Sequence, residues 1–164
     1  MFIALESMFG GGVERLPLNC EFDFSREELN GVFPFTTPVS LKGEIKNIAG
    51  VVTVEAQIKA QLQIFCDRCA EEAKLDFDIE MAHGLVCSLN EDDNDDYILV
   101  EDMKLDLERL TLEDIYLALP TKFLCKEDCK GVCAKCGANL NEGSCDCKKE
   151  IDPRLESLLE LLEN

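Results

Sequence analysis

Between Cys125 and Cys147 the chain reads CKEDCKGVCAKCGANLNEGSCDC and holds six of its ten cysteines, at positions 125, 129, 133, 136, 145 and 147. No other feature limits the fold as much. Apolar side chains are sparse here, chiefly Val132, Ala134, Ala138 and Leu140, and ordering the backbone costs about 1–2 kcal/mol per residue. So little hydrophobic surface cannot offset that entropy, and something else must hold the segment. Cysteine thiolates around zinc would do so, because a structural zinc site contributes roughly 10–16 kcal/mol of apparent free energy at neutral pH. That compares with about 5–15 kcal/mol for the stability of a whole domain.

The spacing points the same way. Cys133-Ala134-Lys135-Cys136-Gly137 has the form of a zinc knuckle. Two cysteines three apart can aim at one ion, and a glycine after the second lets the chain turn back. Asn139, Asn141 and Gly143 supply turn chemistry, and Cys145-Asp146-Cys147 returns a second pair. Cys133, Cys136, Cys145 and Cys147 thus make one four-cysteine site. Cys125 and Cys129 then need partners, and Cys66-Asp67-Arg68-Cys69 offers two. A site from Cys66, Cys69, Cys125 and Cys129 would tie the tail to the amino-terminal half. One or two structural zinc ions are expected, with the division of ligands open. Two other readings compete. Disulfides are disfavoured in a reducing compartment. A redox pair at Cys66 and Cys69 would ordinarily sit at a helix amino terminus, where the dipole lowers the thiol pKa, whereas this pair falls in a strand turn.

Length and charge set the surroundings. A chain of 164 residues is one domain, or one domain with a small metal-held appendage. The division expected is 1–120, a β-rich domain with one helix, and 121–164, a zinc-binding segment and terminal helix docked on it. No run approaches the roughly 20 apolar residues of a membrane span, and MFIALESMFGGG lacks the layout of a secretory signal. The expected setting is therefore cytoplasmic, with no membrane partner. Acidic residues number 34 against 16 basic, a formal charge of −18. A field of that sign attracts basic proteins and repels phosphate backbones. Half of it, a net −9, falls between Glu91 and Asp114. The cysteine segment instead carries lysines at 122, 126, 130, 135, 148 and 149. Any contact with nucleic acid is expected there, with Lys126, Lys130 and Lys135 as partner-binding residues.

Along the rest of the chain, Phe2 to Leu5 reads as a short edge strand, Gly10-Gly11-Gly12 as a joint, and Leu16 to Phe24 as a strand with Cys20 turned inward. Ser25 and Glu28 suggest a capped helical turn, and Pro34 and Pro38 bracket a loop. From Val52 to Ile64 apolar and polar residues alternate without a break, which predicts a long antiparallel strand with one face on a core. Val39, Leu41, Gly43 and Ile45 precede it as one partner, through a turn at 47–50. Ala73, Leu75, Phe77, Ile79 and Met81 follow as the other. Cys66-Asp67-Arg68-Cys69 lies in the second turn, with Arg68 either an exposed turn residue, a donor to thiolate sulfur or a partner contact. His83, the single histidine, reads as structural, and no hydrolase triad can be drawn around it. Cys87 reads as buried. The run from Asn90 to Asp96 reads as a solvated loop and Tyr97 to Val100 as a last strand. A helix capped by Asp106 is expected through Leu119, with Leu112, Ile115, Tyr116 and Leu119 on one face. Asp152-Pro153 opens a final helix with Leu155, Leu158, Leu159 and Leu162 in a stripe. The fold class is α+β: an antiparallel β-meander closing toward a small barrel or curved sheet, then helices and a carboxy-terminal cysteine-rich zinc-binding segment.

Cys66-Asp67-Arg68-Cys69, the acidic run, a helix ending LALP at 117–120, the cysteine-rich stretch and the closing IDPRLESL occur here in that order. In this the chain resembles the YceD-like family, bacterial and plastid proteins described as large ribosomal RNA subunit accumulation proteins. The likeness covers most of the chain and is strongest from Leu117 to Leu155. It implies a cytoplasmic, non-enzymatic factor for processing or accumulation of large-subunit ribosomal RNA. The implied partner is the large-subunit ribosomal RNA precursor, a basic ribosomal protein or an assembly factor, with no small-molecule substrate. An acidic body could hold a basic protein while the lysine-bearing zinc segment touches RNA. The alternative is a thiol-redox or metal-dependent enzyme using the Cys66/Cys69 pair. A duplex-DNA zinc module is opposed by the net charge.

Overall fold

The structure, a computed structural model, describes residues 1–88 and 97–147. The acidic run from Asn90 to Asp96, Lys148, Lys149 and the terminal stripe of Leu155, Leu158, Leu159 and Leu162 lie outside those residues. In chain order the elements are β1 (Phe2–Ala4), α1 (Glu6–Phe9), β2 (Arg15–Phe22), β3 (Val39–Ile48), β4 (Val51–Phe65), β5 (Glu72–Val86), β6 (Tyr97–Leu99), β7 (Lys104–Asp106) and α2 (Leu107–Ala118), with a 3-10 turn at Glu101–Met103 before β7.

The alternation from Val52 to Ile64 is the spine of the fold. It becomes β4, the centre of a five-stranded sheet in the order β2-β3-β4-β5-β6. Because side chains of a strand alternate between faces, its apolar set points one way, and Val52, Val54, Ile58, Leu62 and Ile64 are buried. The expected neighbours pair on both sides, antiparallel, with Leu41 opposite Ile58 and Ile58 opposite Ile79. The β3–β4 connection is a two-residue turn, Ala49-Gly50, both with positive φ, as the twist of a tight hairpin demands. Gly43 pairs with Ala56, and a Cβ there would lie 2.1 Å from the Glu55 carbonyl oxygen, so only glycine permits this approach of β3 to β4.

The buried face is covered by Leu5 and Met8 at α1, by Phe24 and Phe35, and by Leu107, Leu110 and Ile115 of α2. Strands β1 and β7 pair antiparallel, Phe2 opposite Asp106, as a separate two-stranded sheet leading into α2. The Asp106 cap is present, its carboxylate accepting from the Arg109 N–H at 3.4 Å. Among the described residues no helix is long and apolar enough to cross a membrane.

Several expectations are corrected. Among the described residues no ladder joins β2 to β6, so of the two forms expected, a small barrel or a curved sheet, the sheet takes the open one. Strand β6 runs parallel to β5, with Gly84 opposite Tyr97, so the meander is not antiparallel throughout. Ser25 caps no helix: it lies in a turn where its own N–H donates to Asp23 Oδ1 at 2.9 Å. Along α2, Leu112, Ile115 and Leu119 of the expected face pack on the core, joined by the fully or nearly buried Leu107, Leu110 and Thr111, while Tyr116 lies at the surface. Cys87 is exposed, its sulfur 3.3 Å from that of Met103. Cys20 is half-buried against the core.

Candidate metal centres

The turn between β4 and β5 carries Cys66-Asp67-Arg68-Cys69 just beyond Ile64, where the core ends. The Cys66 carbonyl accepts from the Ala70 N–H at 2.8 Å, with Ala70 in the left-handed region at φ 58°. The later stretch Cys133-Ala134-Lys135-Cys136-Gly137 repeats this geometry. There the Cys133 carbonyl accepts from the Gly137 N–H at 2.8 Å, and Gly137 has φ 73°. Each pair is thus presented by the same tight knuckle.

After α2 the chain locks onto the first turn. Asp67 donates its N–H to the Phe123 carbonyl at 2.8 Å, and its carboxylate accepts the Phe123 N–H at 2.7 Å. Arg68 Nη1 donates to the Cys129 carbonyl at 2.8 Å, so its guanidinium braces the backbone of a candidate ligand and not a sulfur. The Arg68 carbonyl in turn accepts from the Val132 N–H at 3.0 Å. Gly131 is buried beneath this contact. With φ 74° and only 2.9 Å between an added Cβ and the Arg68 carbonyl oxygen, no other residue fits there unstrained.

The outcome is two groups of four sulfurs, Cys66, Cys69, Cys125 and Cys129 in one and Cys133, Cys136, Cys145 and Cys147 in the other. Within each group all four sulfurs lie within 4.8 Å of one another. This is the division of ligands that the spacing suggested. Cys66 and Cys129 are 3.7 Å apart and Cys69 and Cys125 3.6 Å. A tetrahedron of sulfurs with metal–sulfur bonds of about 2.3 Å has edges of about 3.8 Å, whereas a disulfide would need about 2.05 Å. The donor set and its spacing fit a tetrahedral metal ion at both places. Such an ion would be held by four thiolates with no open position. The first group is sunk in the protein, with Cys66, Cys69 and Cys129 only 2–5% exposed. The second is shallower, with Cys136 exposed and the other three half-buried.

Charge is distributed alike in the two groups. Burial pushes the Cys66 thiol up, but main-chain N–H groups of Cys125, Arg68 and Cys69 outweigh it and bring it down to about 6. The N–H groups of Cys136 and Lys135 bring Cys133 to about 6 as well. The first cysteine of each knuckle is therefore the ready thiolate. Cys69, Cys125, Cys145 and Cys147 are pushed the other way. The Glu71 N–H favours a Cys69 thiolate, yet burial and the surrounding sulfurs push it up to about 12. Cys136, burial and Cys133 together push Cys147 up to about 12. The Asn141 amide, against the effect of burial, draws the Cys129 thiol below its ordinary value.

Of the expected partner-binding residues, Lys126, Lys130 and Lys135 are at the surface of the cysteine segment. Sequence reasoning missed four side chains that build the centres: Asp67 and Glu71 from the first turn, Asn139 and Asn141 from the second. The asparagines were legible only as turn formers. His83 is structural, its Nε2 lying 2.9 Å from both carboxylate oxygens of Asp114 and joining β5 to α2.

A mostly β scaffold with two four-cysteine clusters at one end defines a protein class: a sheet whose tail is fastened by sites suited to metal. The sequence pattern of the family described as large ribosomal RNA subunit accumulation protein YceD matches residues 54–162, and the chain belongs to that family. It is similar to the uncharacterized protein YlbN of Bacillus subtilis (strain 168), 28% identical over 151 residues, which cover 87% of this chain and 88% of YlbN. It is also similar to the chloroplastic large ribosomal RNA subunit accumulation protein YCED homolog 1 of Arabidopsis thaliana, 38% identical over 47 residues, or 29% of this chain and 15% of that one. The Zea mays protein of the same description is 24% identical over 144 residues, 68% of this chain and 49% of its own length. The chain thus spans less than half the length of these two plant relatives. No solved structure is a significant match.

Proposed function

We propose that the protein is a non-enzymatic, cytoplasmic ribosome-biogenesis factor that supports processing or accumulation of large-subunit ribosomal RNA, with one structural zinc ion fastening its tail to its sheet and a second closing the tail on itself. The observation that carries this is the family match from residue 54 to 162, which takes in both cysteine groups. Two plant relatives bear the same description in their names. Soft thiolate donors in tetrahedral array select zinc among the divalent ions a cell offers in quantity. The charge pattern favours a division of labour, with the acidic body holding a basic ribosomal protein or assembly factor and the lysine-bearing cysteine segment facing RNA. Purified protein is expected to co-sediment with large-subunit precursor particles at physiological salt. Failure to bind precursor RNA, precursor particles or any ribosomal protein would overturn the proposal.

A second reading, a thiol-redox or metal-dependent enzyme using Cys66 and Cys69, draws on the depressed Cys66 thiol. The burial of both sulfurs weighs against it, because a substrate disulfide must reach the attacking sulfur. So does the donor count, since a catalytic zinc keeps a position open.

A further inference from the structure

Residues 139–141 belong to the loop that the second cluster closes, between Cys136 and Cys145, yet their polar atoms reach the first cluster. Asn141 Nδ2 donates to Cys129 Sγ at 3.3 Å, and Asn141 Oδ1 accepts from the Lys130 N–H at 2.8 Å. Asn139 Nδ2 donates to Glu71 Oε1 at 2.6 Å, while Glu71 Oε2 lies 3.8 Å from Cys69 Sγ. The Leu140 N–H donates to the Gly131 carbonyl at 2.8 Å. Asn139 Oδ1 accepts from both the N–H and the Nδ2 of Asn141, at 3.0 and 2.9 Å, so the two side chains are held as a unit.

Four thiolates around a divalent ion carry a net charge of −2. In a buried place that charge needs N–H donors to disperse it. Cys129 is such a place, 3% exposed. The loop that brings the amide there has no core of its own, since Gly137, Ala138, Gly143 and Ser144 are all exposed. Beyond the hydrogen bonds of residues 139–141, the second cluster is what joins the two ends of this loop.

We propose that Asn141 is a positioning residue that couples the two zinc sites. An ion in the second cluster sets the loop, the loop holds the Asn141 amide against Cys129 Sγ, and the first site tightens. By linkage an ion in the first site tightens the second by the same factor. The second cluster, being shallower, exchanges its ion sooner, and its loss is felt at the buried one. This inference rests on reading both clusters as zinc sites.

The test is titration of the full chain with cobalt(II) and then zinc against a competing chelator, the two sites resolved by their release phases, with circular dichroism on every variant. Asn141→Ala keeps all eight ligands and is expected to weaken the first site about ten-fold. Asn141→Asp, which removes the N–H and adds charge, is expected to weaken it more. Cys145→Ser with Cys147→Ser is expected to weaken the first site by a factor similar to Asn141→Ala, and to add nothing further when combined with it. If the serine pair loses its fold, the first-site affinity is compared with the second site empty and filled, in the unaltered chain and in Asn141→Ala, and a dependence that survives the substitution overturns the coupling. An unchanged first-site affinity in Asn141→Ala would overturn the coupling, as would a serine effect equally large with and without Asn141. Two ions bound independently would sink the coupling alone; no ion at either cluster would sink the zinc reading with it.

Discussion

Ala70 and Gly137 occupy the same position in two copies of one turn, but only the second is glycine. A residue with a Cβ in the left-handed region costs about 1–2 kcal/mol, part of which a change to glycine returns as unfolded-state entropy. Ala70→Gly is therefore expected to leave metal binding intact and to raise stability by up to about 1 kcal/mol. Gly131→Ala is the opposite case. It strains a residue at φ 74° and drives a methyl toward the Arg68 carbonyl, so thermal or denaturant unfolding should show a loss of about 1–3 kcal/mol. Equal and small effects for the two changes would contradict the geometry given for the knuckles. The knuckle at Cys133 was legible because glycine follows it. The one at Cys66 was legible from spacing alone, its fifth residue being alanine. The reach of Asn141 to Cys129 was not legible, because it depends on how the 137–145 loop folds back on the first cluster.

At the scale of elements, alternation over thirteen residues was enough to place β4, and with it β3 and β5. Ile58 sits at the centre of this sheet, fully buried, with Leu41 and Ile79 opposite. Ile58→Ala is expected to cost about 2–5 kcal/mol, read as a lower denaturant midpoint with unchanged slope; a loss under about 1 kcal/mol would mean the core lies elsewhere. Short elements were not legible in full. Strands β6 and β7 have three residues each and helix α1 has four, too few for any period to register. The direction of β6 is set by its pairing to Gly84 and not by its own sequence. Along α2 the face read from the sequence packs on the core at Leu112, Ile115 and Leu119, and the contact widens it to Leu107, Leu110 and Thr111 while leaving Tyr116 at the edge. At Ser25 the Asp23 side chain reached the orphan N–H first.

Over the whole molecule, of formal charge −18, an acidic body is joined to a segment that cannot fold by burial. Metal binding here is linked to pH. Cys66 and Cys133 are thiolates above about 6, whereas Cys69 and Cys147, pushed up to about 12, still carry protons at neutrality. Binding must displace those protons, so affinity rises with pH through the neutral range. A bound ion depresses the thiol pKa values of the folded state further, so the stability it contributes is present at high pH and is lost as acid protonates the ligands. A cobalt-loaded sample is expected to lose its thiolate-to-metal absorption on acidification, at a pH below the pKa values of the metal-free thiols; a band indifferent to acid would contradict thiolate ligation. The most direct test of the account is native mass spectrometry of the purified chain, as isolated and with each cluster disabled in turn. Two divalent ions per chain, falling to one with Cys66→Ser/Cys69→Ser and to one with Cys145→Ser/Cys147→Ser, is the predicted result. A chain that carries no ion and yet keeps its carboxy-terminal third folded would contradict it.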